Sequence, residues 1–495
     1  MNSLHDTVPF ATDRVLIGGE WRAADNRETL ALEDPSEGRE LARIARGGAA
    51  DIDAAVSAAR DALEGAAGGG AVSWGRMSAL ERGRILSAIG RKVLDNVELL
   101  ASLEVRDVGK PLKQARADAI ALARYCEFYG GAADKVHGET LPFAAGYTAL
   151  TLREPHGVTG HIVPWNYPMQ IVGRSVGAAL AMGNACVLKP AEEACLTVLA
   201  FARIAAEAGL PPGALNVVPG LGEEAGAALA GHPGVDHLSF TGSVATGALV
   251  QIAAAKNAVP VTLELGGKSP QIVFADADLD AALPYLVNAG IQNAGQTCSA
   301  ASRILVEKGV YAEVRQKMAE RYRALRSGRA ADDLDLGPMI SKRQKGVVDR
   351  YLGLARDGGL AFAGEGCIVD GSPSGGHFVR ATLVDDVPPD HALAQEEIFG
   401  PVQVLIAFDG EAEALRIANG TRYGLVAGVW TRDGGRQMRM ARALKCGQVF
   451  INNYGAGGGI ELPFGGVKHS GHGREKGFEA LYGFSALKTV AIHHG

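Results

Sequence analysis

The chain has 495 residues, more than a single hydrophobic core usually supports, so two or three domains are expected. Its 47% hydrophobic and 21% charged residues exclude a disordered or fibrous chain. The 49 basic and 55 acidic side chains are well mixed and leave a net charge of -6 with no basic tract, which excludes nucleic acid and anionic membrane surfaces as partners.

The first residues, MNSLHDTVPFATDR, hold no basic segment followed by an apolar one, and no later stretch carries the roughly 18 uninterrupted apolar residues of a membrane span. A soluble, cytoplasmic protein is expected. Residues 15–60 contain the strand-like run VLIGGEW and then DIDAAVSAARDAL, where Asp51 and the spacing of Ile52, Val56 and Ala59 predict an N-capped amphipathic helix. EGAAGGGA at 64–71 reads as a loop. From Ser78 to about Gly130, Ile85, Ile89, Val93 and Leu94 recur at helical spacing with no proline before Pro111, which predicts a helical N-terminal layer.

Between 157 and 275 short β-rich runs (GVTGHIVP, ACVLKP, ALNVVPG, DHLSF, PVTLEL, PQIVF) alternate with helical stretches such as CLTVLAFARIAAEAGL. Strands alternating with helices predict a parallel sheet with crossovers. A second alternation from about 276 to 450 holds SRILVEK, PVQVLIAF, VAGVW and GQVFIN, so two α/β units are expected with a ligand cleft between them. There is no repeat of fixed period, and the one low-complexity block is GAGGG at 455–459.

The six cysteines, Cys126, Cys186, Cys195, Cys298, Cys367 and Cys446, form no CxxC pair and no Cys/His cluster with zinc spacing. All six read as reduced thiols, with no metal site. Cys298 stands apart because QNAGQTCSAASRI places it among small and polar residues, the setting of an approachable thiol. Taken alone it also fits a structural cysteine.

Four other segments carry chemistry. DHLSFTGSVATG (236–247) is a strand, a turn with Gly242 and Ser243, and a helix starting near Val244, which suits a dinucleotide pyrophosphate or a plain tight turn. CVLKPAEEA ends a strand in Lys189 with Glu192 three residues on, at the place where doubly wound sheets bind ribose hydroxyls, or as a solvated pair. GHIVPWNYP holds Asn166 between stiffening prolines, a carboxamide suited to an oxyanion or to a turn. VTLELGGKSP carries Glu264 in an apolar strand before a Gly-Gly turn, which fits a general base of raised pKa or an edge-strand glutamate facing water.

Together with EEIFGP at 396–401 and PFGGVKHSG at 463–471, the segments PWNYP, KPAE, FTGS, LELGGKSP and GQTC occur in the order that resembles the aldehyde dehydrogenase superfamily over nearly the whole chain. The resemblance implies two doubly wound Rossmann-like α/β domains and a small β-hairpin oligomerisation element. Residues 1–129 and 153–260 would form the coenzyme-binding domain, 261–455 the catalytic domain, 130–152 and 480–495 the oligomerisation element, and 456–479 a segment in the cleft. It implies NAD(P)-dependent oxidation of an aldehyde to an acid, with Cys298 as nucleophile, Asn166 holding the oxyanion and Glu264 activating water. Lys189 and Glu192 match the adenosine ribose contacts, Ser243 the pyrophosphate contact and Glu397 the nicotinamide ribose contact, with Phe399 beside it. Trp165 and Gly222 line the cofactor cleft in the family, and Glu475 matches a proposed proton relay. A homodimer or homotetramer is implied. Glu192 would accept from a free ribose 2′-OH, which favours NAD over NADP.

Two rival readings remain: a CoA-acylating relative, disfavoured because Glu264 is present, and a catalytically silent structural relative, disfavoured because Cys298, Glu264 and Asn166 are all retained. In the expected helix YPMQIVGRSVGAAL, Tyr167, Ile171 and Arg174 share a face. If that face lines the aldehyde tunnel, Arg174 suits the distal carboxylate of an ω-semialdehyde or of a carboxylated aromatic aldehyde; the alternative is an internal acidic partner or a subunit interface.

Overall fold

The computed structural model describes residues 8–65, 73–455 and 459–495. The loop expected at 64–71 and the glycine patch at 455–459 lie largely outside these. Five parallel strands form the centre of the first sheet in the order Leu215–Val217, Ala185–Pro190, Val158–Val163, His237–Thr241 and Val261–Glu264. The hairpin Val15–Ile17 and Glu20–Arg22 extends one edge, and Gly471–His472 closes the other antiparallel to Val261–Glu264. The second sheet runs Ala361–Glu365, Thr382–Asp385, Val402–Phe408, Arg303–Glu307, Pro270–Val273, Val426–Trp430 and Gln448–Ile451, parallel except at its first strand. Both α/β units expected from the alternation are therefore present. The partition between them differs from the expectation: PVTLEL ends in the first sheet, past the boundary drawn at 260, while PQIVF opens the second. Both runs are apolar, and nothing local in an apolar run specifies its partner.

The helical layer consists of Ala79–Asp95, Val97–Asp107 and Leu112–Ala132. Ser78 and Glu81 cap the first of these reciprocally. Ile89 and Val93 are fully buried there, whereas Leu94 is 43% exposed because the core face follows Leu86, Ile89 and Val93. Asp51 also differs from expectation. Helix Ala49–Glu64 is capped at Gly48, and Asp51 sits one turn in, its carboxylate accepting from the Gly48 N–H.

Helix Pro168–Met182 is apolar nearly all round and buried along almost its whole length, the pattern of a helix inside a core. Pro168 starts it and Gly183, at φ 93°, ends it. It packs on helix Leu112–Ala132. Arg174 is the one charged residue in it. The third sheet joins Thr140–Leu141, Tyr147–Pro155 and Ser485–His493, so strands lie in both segments assigned to the oligomerisation element, one of them running past the end drawn at 152. No helix among the described residues is long and apolar enough to cross a membrane.

Where this arm leaves the first domain, three histidines gather around Phe484. His156 stacks on His237 at 4.9 Å between ring centroids, while His161 and His237 lie 5.5 and 5.0 Å from Phe484. Burial lowers the pKa of all three, His161 to about 3. A base depressed in the folded state keeps its stabilising effect above its unfolded value of about 6.5 and loses it as pH falls toward the folded value. The chain should thus lose stability on acidification, with His161 contributing about 2 kcal/mol between pH 6.5 and pH 5. Thermal midpoints measured across this range should fall less steeply in His161→Gln than in the parent.

Candidate active site

After helix Leu279–Ile291 the chain turns through Asn293, Ala294 and Gly295 at φ 48°, 52° and 74°. Left-handed backbone at Asn and Ala is strained and persists only where the surroundings hold it. Here Gln114 accepts from the Asn293 N–H at 2.9 Å, Gln296 Nε2 donates to the Asn293 carbonyl at 3.0 Å, and the Ile340 N–H donates to Gln296 Oε1 at 2.9 Å. A Cβ at Gly295 would lie 2.2 Å from the Gly400 carbonyl. The loop delivers Cys298, half-buried, to a small apolar cluster of Leu425, Val426 and Phe464.

Asn166 lies between strand Val158–Val163 and helix Pro168–Met182, at the carboxyl end of a parallel strand. Its Nδ2 donates to the Gln296 carbonyl at 3.0 Å, and Asn293 Nδ2 donates back to the Asn166 carbonyl at 3.0 Å. This exchange fixes the carboxamide beside the cysteine loop. Glu264 ends its strand with 2% exposure and pairs on both sides, to Thr241 and to Gly471, so the water-facing alternative is excluded. Neither carboxylate oxygen has a hydrogen-bond partner. Burial, then the nearby Glu475 charge, raises its pKa well above the usual carboxylate range, against the pull of Arg174 and Arg474. Burial likewise pushes the Cys298 thiol to about 11, although Arg174 pulls it down. The polar sequence setting suggests an approachable thiol, and the half-buried side chain lies at two cavities, but burial raises its pKa instead of lowering it.

Two cavities meet at Asn166 and Cys298. One, of 310 Å³, is also lined by Trp165, Gly242, Ser243, Glu264, Glu397 and Phe399. Ser243 caps helix Val244–Ala255, its Oγ accepting from the Thr246 N–H at 3.2 Å, so the helix N-terminus faces this space. Glu397 accepts from the Gly267 N–H at 3.0 Å, and burial raises its pKa to about 7. A Cβ at Gly266 would come within 2.1 Å of the Glu397 carboxylate. Phe399, at φ 56°, stands edge-on to Trp165 with ring centroids 5.4 Å apart. Lys189 is buried and pairs with Glu192 at 2.8 Å. Glu192 lines a neighbouring cavity of 270 Å³ with Leu221. Gly222, next in the chain and exposed, opens the helical turn Gly222–Gly226, whose Ala225 and Gly226 are buried.

The other cavity, of 370 Å³, has Tyr167, Ile171 and Arg174 on one wall, as their spacing predicts. Tyr167 is fixed by a 3.0 Å hydrogen bond to Thr297 and by Lys110, whose ammonium lies 3.8 Å above its ring. Lys110 is buried against Glu104 and Asp118. Arg174 has the internal acidic partner that the sequence left as an alternative: its Nε lies 2.5 Å from Glu475 Oε2, in a charge contact not aligned as a hydrogen bond. Thr241, Phe464, Lys476 and the Lys110 cluster were missed from the sequence. The available signal for the cluster was acidic residues, Glu104 and Asp118, at buried helix positions.

The chain matches the aldehyde dehydrogenase family over residues 21–490. It is 42% identical to aldehyde dehydrogenase family 2 member B4, mitochondrial, of Arabidopsis thaliana, over 98% of this chain and 89% of that protein. A crystal structure from Burkholderia cenocepacia is 64% identical with a TM-score of 0.95, covering 97% of this chain and all 100% of that one. The NAD+ complex of aldehyde dehydrogenase from Bacillus cereus is 37% identical with a TM-score of 0.94, covering 99% and 98% of the two chains. With the family's ordered motifs, both of its sheets and the convergence of Cys298, Asn166 and Glu264 in one cleft, the chain belongs to the aldehyde dehydrogenase family.

Proposed function

We propose that the protein oxidises an aldehyde to a carboxylic acid with NAD through a covalent intermediate on Cys298, which is then hydrolysed. The observation that carries this reading is that Cys298 and Asn166 line both cavities at once, one able to take a nicotinamide cofactor and the other an aldehyde. The thiol proton passes to water in the cleft as sulfur bonds to the carbonyl carbon, and the Asn166 carboxamide donates to the oxyanion that forms. NAD bound in the 310 Å³ cavity would supply the hydride acceptor, and loss of hydride would leave the acyl group on Cys298 as a thioester. Glu264, once deprotonated, draws a proton from the water that releases the acid. Its burial in the cleft with Cys298 supports hydrolysis over transfer to CoA.

For the cofactor, the Ser243-capped helix end suits a pyrophosphate, and Glu397 and Glu192 suit the two riboses. The partly exposed Glu192 carboxylate favours a free 2′-hydroxyl, hence NAD over NADP. A homodimer or homotetramer built through the third sheet is supported by the exposed Phe143, Leu152, Leu487 and Ile492 along that arm. A cytoplasmic setting is supported by six cysteines with no disulfide among them.

In ligand-free protein the raised thiol pKa should make iodoacetamide alkylation of Cys298, followed by peptide mass spectrometry, accelerate about tenfold per pH unit from pH 7 to pH 10. A plateau below pH 8 would refute a neutral resting thiol. Replacing Glu264 by Gln should preserve a burst of one NADH per site, trap the acyl-enzyme and slow steady turnover about 10²–10⁴-fold. Loss of the burst would assign Glu264 a different role. If ionised Glu397 receives the ribose, NAD should bind about tenfold more weakly at pH 6 than at pH 8, following the ionised fraction of a carboxyl with a pKa of about 7. Calorimetric titration of Glu397→Gln should show that dependence removed.

A further inference from the structure

Beyond Gly471–His472 the chain turns through Glu475, Lys476 and Gly477, and its backbone is pinned on both sides of the lysine. Glu475 and Phe464 exchange backbone hydrogen bonds in both directions, and the Gly477 N–H donates to the Ile460 carbonyl at 2.8 Å. Between these anchors Lys476 is held at φ 62°, a left-handed backbone that a long side chain adopts only under constraint. The lysine is 2% exposed and lines the 370 Å³ cavity together with Cys298. Buried lysines are rare, and this one shares its wall with a second cation. The Arg174 guanidinium lies 5.0 Å and the Lys476 ammonium 5.7 Å from the centre of the same Phe464 ring, and Phe464 belongs to the small apolar cluster that Cys298 adjoins.

The other charges of this cavity are matched within the protein. Asp118 is engaged by Lys110 and Gln170, and Arg174 by Glu475. Glu461, the carboxylate that acts on Lys476, is exposed and lies 3.4 Å from Arg124. We infer that Lys476 is a specificity-determining residue whose ammonium receives a carboxylate carried by the aldehyde while Cys298 receives its carbonyl, so that the substrate class is a short semialdehyde rather than a neutral aldehyde. An ammonium has three N–H donors and can keep contacts within the protein while donating to a ligand. Gln114, Asn288 and Gln292 give the same cavity polar walls, which a long apolar aldehyde would desolvate at a cost. The inference rests on the proposed oxidation at Cys298 and names its substrate class.

The test compares kcat/KM with NAD for succinic semialdehyde and for 4-methylpentanal, which has the same branched end without the charge. The parent should favour the acid about tenfold or more at pH 7, the scale of one charge-assisted hydrogen bond. Lys476→Met should lower the acid-to-neutral ratio about tenfold or more, and Lys476→Arg should recover part of it. Burial lowers the Lys476 pKa to about 8, with Arg174, Glu461 and Cys298 facing the ammonium, whereas Arg174 does not titrate. In the parent the ratio should therefore fall as pH rises from 7 to 10, while groups that act on both aldehydes alike cancel from it. A parent that favours the neutral aldehyde, or a preference that Lys476→Met leaves in place, overturns the inference alone. Absence of NADH with both aldehydes overturns the oxidation itself. If Lys476→Met does not fold, the parent still decides, because a preference that stays level from pH 7 to 10 removes Lys476 from the role.

Discussion

The site depends on a crossing. The chain leaves the first sheet at Glu264 and enters the second at Pro270, and everything between must pass where the two domains touch. A side chain at Gly266 would strike the Glu397 carboxylate, and one at Gly267 would lie 2.5 Å from the Cys298 carbonyl. The missing side chains let three segments from different elements come together: the end of a strand with its base, the strained loop with its thiol, and the Glu397 turn. Cys298 lines both cavities, so the close backbone approach at Gly267 lies where the two spaces meet.

The same crossing explains what was legible in the sequence. LELGGKSP displays its Gly-Gly turn and its glutamate openly, QNAGQTC displays a cysteine with no large apolar neighbours, and PWNYP displays an asparagine between prolines, so the three catalytic candidates were readable as residue types in a local setting. Strand identities were equally local, since each β-rich run became a strand. Which sheet each strand joined was not local, and PQIVF passed to the second sheet because pairing is decided by tertiary contact. Helix phase fixed Tyr167, Ile171 and Arg174 on one wall, whereas the partner of Arg174 lies 301 positions later in the chain, beyond anything periodicity encodes.

Charge states were the least legible. Open polar neighbours around Cys298 suggest an easily ionised thiol, yet burial dominates there, as it does for Glu264 and Glu397. Desolvation drives all three toward their neutral forms, because an enclosed site charges each ion its solvation energy before any neighbour contributes. In the ligand-free cleft burial thus biases the thiol and both carboxyl groups toward their uncharged forms.

That arrangement gives Arg174 its significance. Within the apolar helix it occupies, an unpaired guanidinium would be costly, and its contact with Glu475 removes most of that cost. Thr241, which accepts from the guanidinium, is the register partner of Glu264, so the Arg174 contact is anchored on the strand beside that carboxylate. Of the two charges, the Glu475 anion acts more strongly on Glu264 than the Arg174 cation does. Burial with no hydrogen-bond partner biases the Glu264 carboxylate toward its neutral form, in a cavity whose wall it shares with Cys298 and Asn166.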